Sequence, residues 1–136
     1  MRSIAIAASL LLLFAAGTAE AGGKPEHKIT QSESFIMIEP MYTSILDAGR
    51  PAGMLLVAIG LDIPDAELRG EADRGMPVLR DEYVRSLMSF TAAAVRPWRQ
   101  PDVGMIADRL QRVTDAMLHR KGARVLLAQV AIQPKH

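Results

Sequence analysis

The chain has no cysteine, which excludes disulfides, thiol catalysis, zinc–cysteine sites and a lipidated cysteine anchor. Aromatic residues are scarce, at one tryptophan, two tyrosines and three phenylalanines in 136 residues. So few rings do not make the stacking platforms that single-stranded nucleic acid needs. An excess of either charge is also missing. Lys plus Arg number 16 and Asp plus Glu 15, a formal net charge of +1, which argues against nucleic acid as a partner. The three histidines, His27, His119 and His136, have no metal-ligand spacing. No serine lies in a Gly-x-Ser-x-Gly elbow. Gly49, Gly53 and Gly60 do not sit between a strand and a helix start, so no phosphate loop is formed. No catalytic residue, cofactor or metal is assigned, and the expectation is a protein that is not an enzyme.

What is present is the composition of one folded domain, 49% hydrophobic and 23% charged. The first stretch stands apart. Arg2, the apolar run Ile4 to Ala16 and the small-x-small site Ala19-Glu20-Ala21 have the three-part layout of a secretory signal peptide over 1–21. Cleavage would start the mature chain at Gly22, in a periplasm-like space. The alternative is an inner-membrane anchor made by 4–19, which is shorter than the roughly 20 residues that cross a bilayer. Residues 22–32 have no apolar period and read as a flexible leader, with His27 as a solvated tail residue. The folded domain is expected over 33–136.

Ser34 to Glu39 and Met41 to Leu46 are short β-prone runs separated by Pro40. Asp47 to Gly53, with two glycines and a proline, reads as a turn. Met54 to Ile63 is the clearest strand: Leu55, Val57, Ile59, Leu61 and Ile63 alternate without a break. Burying those five side chains contributes on the order of 8–15 kcal/mol before chain entropy opposes it. Its place is therefore expected to be central. Asp62, Asp65 and Glu67 are an acidic group whose ligand number is too small for calcium, and acids at a helix start explain them better. The stretch from Asp65 to Arg74 reads either as its own helix or as one running on through Pro77.

Met76, Leu79, Tyr83, Leu87 and Phe90, with Val84 and Met88 alongside, make the dry side of a helix reaching about Val95. Arg80, Asp81, Glu82, Arg85 and Ser89 make its wet side. Arg96 to Pro101 is a connector, since its prolines cannot continue a helix. Asp102 caps a second long helix with Val103, Ile106, Leu110, Val113 and Met117 as its dry stripe. His119, Arg120 and Lys121 fall in its last turn and Gly122 at its C′ position. Ala123 to Gln133 is a final strand. Apolar residues at both odd and even positions place it inside the sheet. The expected fold is α+β, a mostly antiparallel sheet of three to four strands against two long helices. The candidate partner contacts are Arg80, Asp81 and Arg85 on the wet side and Trp98 between two arginines; packing of Trp98 over the sheet is the competing reading.

Ile38-Glu-Pro40, the hairpin into Leu55–Ile63, Met76-Pro-Val-Leu-Arg-Asp-Glu-Tyr83, the helix around Leu110-Gln111 and Val125-Leu-Leu127 together form a familiar order. Over Glu33 to Gln133 the chain resembles the flagellar basal-body-associated FliL family, most specifically at Pro77, Arg80 and Asp81. That resemblance implies a stomatin/prohibitin-like domain, self-association, and a non-enzymatic role in motility beside flagellar stator or basal-body proteins. Family members usually keep a membrane helix and a cytoplasmic start, and the cleavable start of this chain departs from that. Membrane contact is expected only if the N-terminal segment stays uncleaved.

Overall fold

A computed structural model describes residues 32–135. The signal-peptide reading, most of the leader, His27 and His136 lie outside the described residues. The fold is α+β, with strands β1 (Phe35–Met37), β2 (Met41–Asp47) and β3 (Arg50–Asp62). Helices α1 (Ala66–Arg74), α2 (Met76–Ala94) and α3 (Val103–Leu118) follow, and β4 (Arg124–Pro134) closes the chain. All strand pairs are antiparallel.

β3 is the axis of the sheet. Its whole length from Gly53 to Asp62 pairs with β4 on one edge. β2 and β1 share its other edge end to end, pairing with Arg50–Val57 and Gly60–Asp62. Between them Ile38 donates to the Ile59 carbonyl at 3.1 Å, and Pro40, which has no N–H to offer, marks the break. Four strands therefore make a sheet three lanes wide.

The odd residues of β3, Leu55, Val57, Ile59 and Leu61, are fully buried, as is Ile63 just past its end. They face Leu79, Tyr83, Leu87 and Phe90 of α2 and Ile106 and Leu110 of α3 in one apolar cluster. Both helices lie on this face because each has a single dry stripe to bury. Thr43 and Thr91 share a buried 2.7 Å hydrogen bond that ties β2 to α2.

Several boundaries differ from the sequence reading. The turn is only Ala48-Gly49, both with positive φ (48° and 76°), the two-residue hairpin geometry that matches strand twist. Arg50 and Pro51 thus belong to the strand, and Ala52 is the extra residue of a bulge, since Leu46 pairs with Pro51 and Ile45 with Gly53. Among the described residues the helices number three, so of the two readings of Asp65 to Arg74 the separate helix holds. Gly75 separates α1 from α2, and Asp65 caps α1 by accepting from the Leu68 N–H at 2.7 Å. Met88 and Val103, assigned to dry faces, are exposed at 57% and 47%.

α3 begins as expected, with Asp102 accepting from the Met105 N–H at 3.0 Å. It ends at Leu118, so His119, Arg120 and Lys121 are beyond the last turn. His119 itself takes the left-handed conformation (φ 54°) expected of Gly122. The largest correction concerns β4, which pairs with β3 alone and is an edge strand. Ile59 pairs with Leu127 and Ala58 with Gln129, so Ala128 is a bulge and the inward parity changes there. Val125 and Leu127 face the helices before it, Val130 and Ile132 after it. Apolar residues at both odd and even positions, Val125, Leu127, Val130 and Ile132, thus belong to one face, while Leu126 and Ala131 lie on the other.

Candidate interaction surface

The four candidate contact residues divide into three environments. Arg85 pairs with Asp81 at 2.9 Å and with Glu82 at 3.7 Å, one turn apart on the solvent side of α2. Arg80 leaves that group. Its Nη2 donates to the Pro40 carbonyl at 3.4 Å, and its Nε is buried without a partner. The arginine therefore bridges α2 to the break between β1 and β2. Trp98 lies past the far end of α2, whose rise from Asp81 to Ala94 is about 20 Å.

Trp98 sits on a tight turn. Arg96 and Arg99 form an isolated bridge, with the Arg99 N–H donating to the Arg96 carbonyl at 3.2 Å. Buried Val95 anchors one end, and the Arg96 guanidinium donates to the Val95 carbonyl at 2.8 Å. Trp98 remains 71% exposed, so it does not pack over the sheet. It stands instead beside Val130, Ala131 and Ile132 of β4, across a hollow of about 270 Å³ that Pro97, Arg99, Gln100 and Pro101 also line.

The sheet face turned away from the helices was not singled out in the sequence. No described element covers it. Pairing aligns Phe35 and Met37 of β1, Tyr42 and Ser44 of β2, Met54, Leu56, Ala58 and Gly60 of β3, and Leu126 and Ala131 of β4. Met37, Tyr42, Met54 and Leu126 are 37–58% exposed. Charge enters at its two ends, where Asp62 and Arg124 pair at 3.2 Å and where Lys135 stands beside Ser44 and Met54. The signal was available in β3, whose even positions Met54, Leu56 and Ala58 are apolar although its odd positions already make the core.

At the Asp62 end of the sheet lies an open cleft of about 580 Å³, where Asp62, Gln111, Asp115, Lys121 and Arg124 share the lining with Pro64, Gly122 and Ala123. Its groups serve the fold. Gln111 acts as a substitute strand: Nε2 donates to the Ala123 carbonyl at 2.7 Å, and Oε1 accepts from the Val125 N–H at 2.9 Å. Ser34 donates to Asp62 at 2.8 Å. Asp65 caps α1 and meets Arg120 at 3.6 Å, so the acids Asp62, Asp65 and Glu67 have separate structural duties. Among the described residues, no three His, Asp or Glu side chains are grouped to hold a metal ion.

Among the described residues Tyr83 has a clearly displaced titration. Burial pushes its hydroxyl up to about 12, and the Asp115 charge adds to this. A phenol so held stays protonated and serves the core. No helix among the described residues is long and apolar enough to cross a membrane. No family model matches the chain, and no curated protein matches it.

Proposed function

We propose that this chain is a non-enzymatic contact protein of the periplasm, an accessory of the flagellar motor and its stator units that works through protein–protein association. The observation that carries the reading is the open sheet face. Its exposed apolar residues Met37, Tyr42, Met54 and Leu126 share one face of the sheet, and apolar residues grouped in this way mark association sites. The order of strands and helices is compatible with a stomatin/prohibitin-like domain, and the resemblance at Pro77, Arg80 and Asp81 supplies the link to motility. Export follows from the signal-peptide layout of 1–21.

The deciding experiment is soft-agar swimming by a strain lacking only this gene, with filaments counted by microscopy. Normal filament number with reduced spreading is expected. Unchanged spreading would reject the motor assignment in favour of a periplasmic scaffold or binding module unrelated to motility. N-terminal sequencing of exported chain should begin at Gly22; a start at Met1 would reject cleavage and favour an anchor over 4–19. The open cleft beside Gln111 favours a binding module as the second reading, and a ligand-dependent rise in Tm would support it.

A further inference from the structure

The free edge of β4 has chemistry that the open face lacks. In an antiparallel strand the N–H and C=O of one residue point to the same side, and successive residues alternate. Lys135 donates to the Ala52 carbonyl at 3.0 Å, so its backbone turns toward β3. Gln133, Ala131 and Gln129 share that direction. Ile132 and Val130 therefore aim their N–H and C=O groups away from the sheet. No described backbone or side-chain group hydrogen-bonds with them from that side.

Natural edges are commonly blunted by an inward charge or a lysine on the strand. From Val125 to Gln133 this one has no charged residue at all. Its irregularities are the Ala128 bulge and Pro134, which offers no outward N–H, and Gln129 to Gln133 between them keeps regular pairing with β3. The same outward-facing residues line the hollow under Trp98, a side chain left 71% exposed on a tight turn. Unpaired backbone groups every second residue, with a hollow of mixed polar and apolar lining beside them, are what an added strand needs: the main chain supplies affinity and the hollow selects a side chain.

We propose that the β4 edge beside Trp98 receives an extended, acidic segment of a partner protein as an added strand. The inference deepens the contact-protein reading and rests on it, though not on motility. Charge selects the acidic class. Arg99 is the only charged residue lining the hollow, Arg96 precedes it on the same turn, and Lys135 follows the strand. Among the described residues none of these three is in an ion pair with an acid. Asp102, the nearest acid along the chain, is committed to capping α3.

A second copy fits less well. Two β4 strands paired antiparallel about a two-fold axis normal to the sheet would keep both helix layers on one side. The Trp98 turn joins α2 to α3 on that side, so each copy would bring its turn into the same gap. A single extended segment has no such layer.

The test takes the full chain and two synthetic peptides of equal length, one alternating valine and glutamate, the other valine and lysine. Trp98 is the only tryptophan, so its emission reports the site directly. The glutamate peptide should blue-shift that emission, bind about tenfold more tightly than the lysine peptide, and slow amide exchange at Val130 and Ile132. Ile132→Pro removes one outward N–H while leaving the β3 ladder bonded, and should abolish binding. Arg99→Glu, at an exposed position that does not threaten folding, should reverse the peptide preference.

Absence of amide protection with both peptides overturns the proposal. So does equal binding of both peptides that ignores Arg99→Glu. A concentration-dependent dimer protecting the same amides without peptide would assign the edge to a second copy instead. Normal swimming by the deletion strain with peptide binding intact would remove the motor role and leave strand addition standing. Full complementation of a swimming defect by the Arg99→Glu and Ile132→Pro chains would do the reverse.

Discussion

The Tyr83 hydroxyl on α2 and Thr114 Oγ1 on α3 lie 2.6 Å apart inside the core, and both residues are fully buried. Thr114 gives its own proton to the Leu110 carbonyl at 2.8 Å, so Tyr83 must be the donor between them. The two long helices are thus joined by a polar contact as well as by apolar packing.

Tyr83→Phe should cost about 1 kcal/mol, because Thr114 then loses a partner it cannot replace from solvent. It should also change the alkaline limb of stability. Tyr83 titrates near 10.0 in the unfolded chain and about 12 in the folded one. Below pH 10 both states hold the proton, and the burial contribution is complete. Between the two values the unfolded chain binds fewer protons, so stability falls as pH rises, with a limiting slope of about 1.4 kcal/mol per pH unit. Urea midpoints followed upward from pH 9 should show this slope in the wild type beyond what Tyr83→Phe shows. Parallel curves for the two would refute it.

Thr43→Val or Thr91→Val should each cost roughly 1–3 kcal/mol, since either leaves its partner hydroxyl buried and unpaired. The double substitution removes both polar groups at matched shape and should cost clearly less than the sum. A thermodynamic cycle from urea unfolding decides it, and strict additivity would mean that the two hydroxyls do not depend on one another.

Gly60 lies beneath the Phe35 ring, where an added Cβ would overlap the ring atoms. Gly60→Ala should lift Phe35 and loosen β1, at a cost of roughly 1–3 kcal/mol. Phe35→Ala alone forfeits the packing of the ring. Adding Gly60→Ala to it should cost little more, because the clash has gone. Amide exchange at the Ile36–Gly60 region provides the local readout.

Asp81→Ala should change stability by no more than about 0.5 kcal/mol, and salt should erase even that, because the pair with Arg85 is solvent-exposed. Arg80→Ala should cost more than Asp81→Ala, through lost packing of its stem and its tie to Pro40. Equal costs in urea unfolding would return Arg80 to the solvent-facing group.

Local chemistry was legible wherever one period or one cap decided it. The alternation of Leu55 to Ile63 marked the core strand, the spacing of Leu79, Tyr83, Leu87 and Phe90 marked α2, and Asp102 marked the start of α3. The hairpin turn was harder because its first residue is Ala48, which rarely accepts positive φ, and the prominent Pro51 and Gly53 drew the turn too far. Arg80 shared its neighbours' pattern, yet its length let it reach Pro40 and leave them.

By itself the sequence determined the α+β class, the central strand, the faces of the helices and the absence of cysteine chemistry. Those follow from residue type and from periods of two and 3.6, which a chain carries before it folds. Tertiary structure alone decided that β1 and β2 share one edge, that the Ala128 bulge brings Val125, Leu127, Val130 and Ile132 of β4 to one face, and that no described element covers the other face of the sheet. It alone also set Trp98 beside the outward backbone of Val130 and Ile132. Edges, registers and cover depend on which distant segments meet, and no local pattern encodes that meeting.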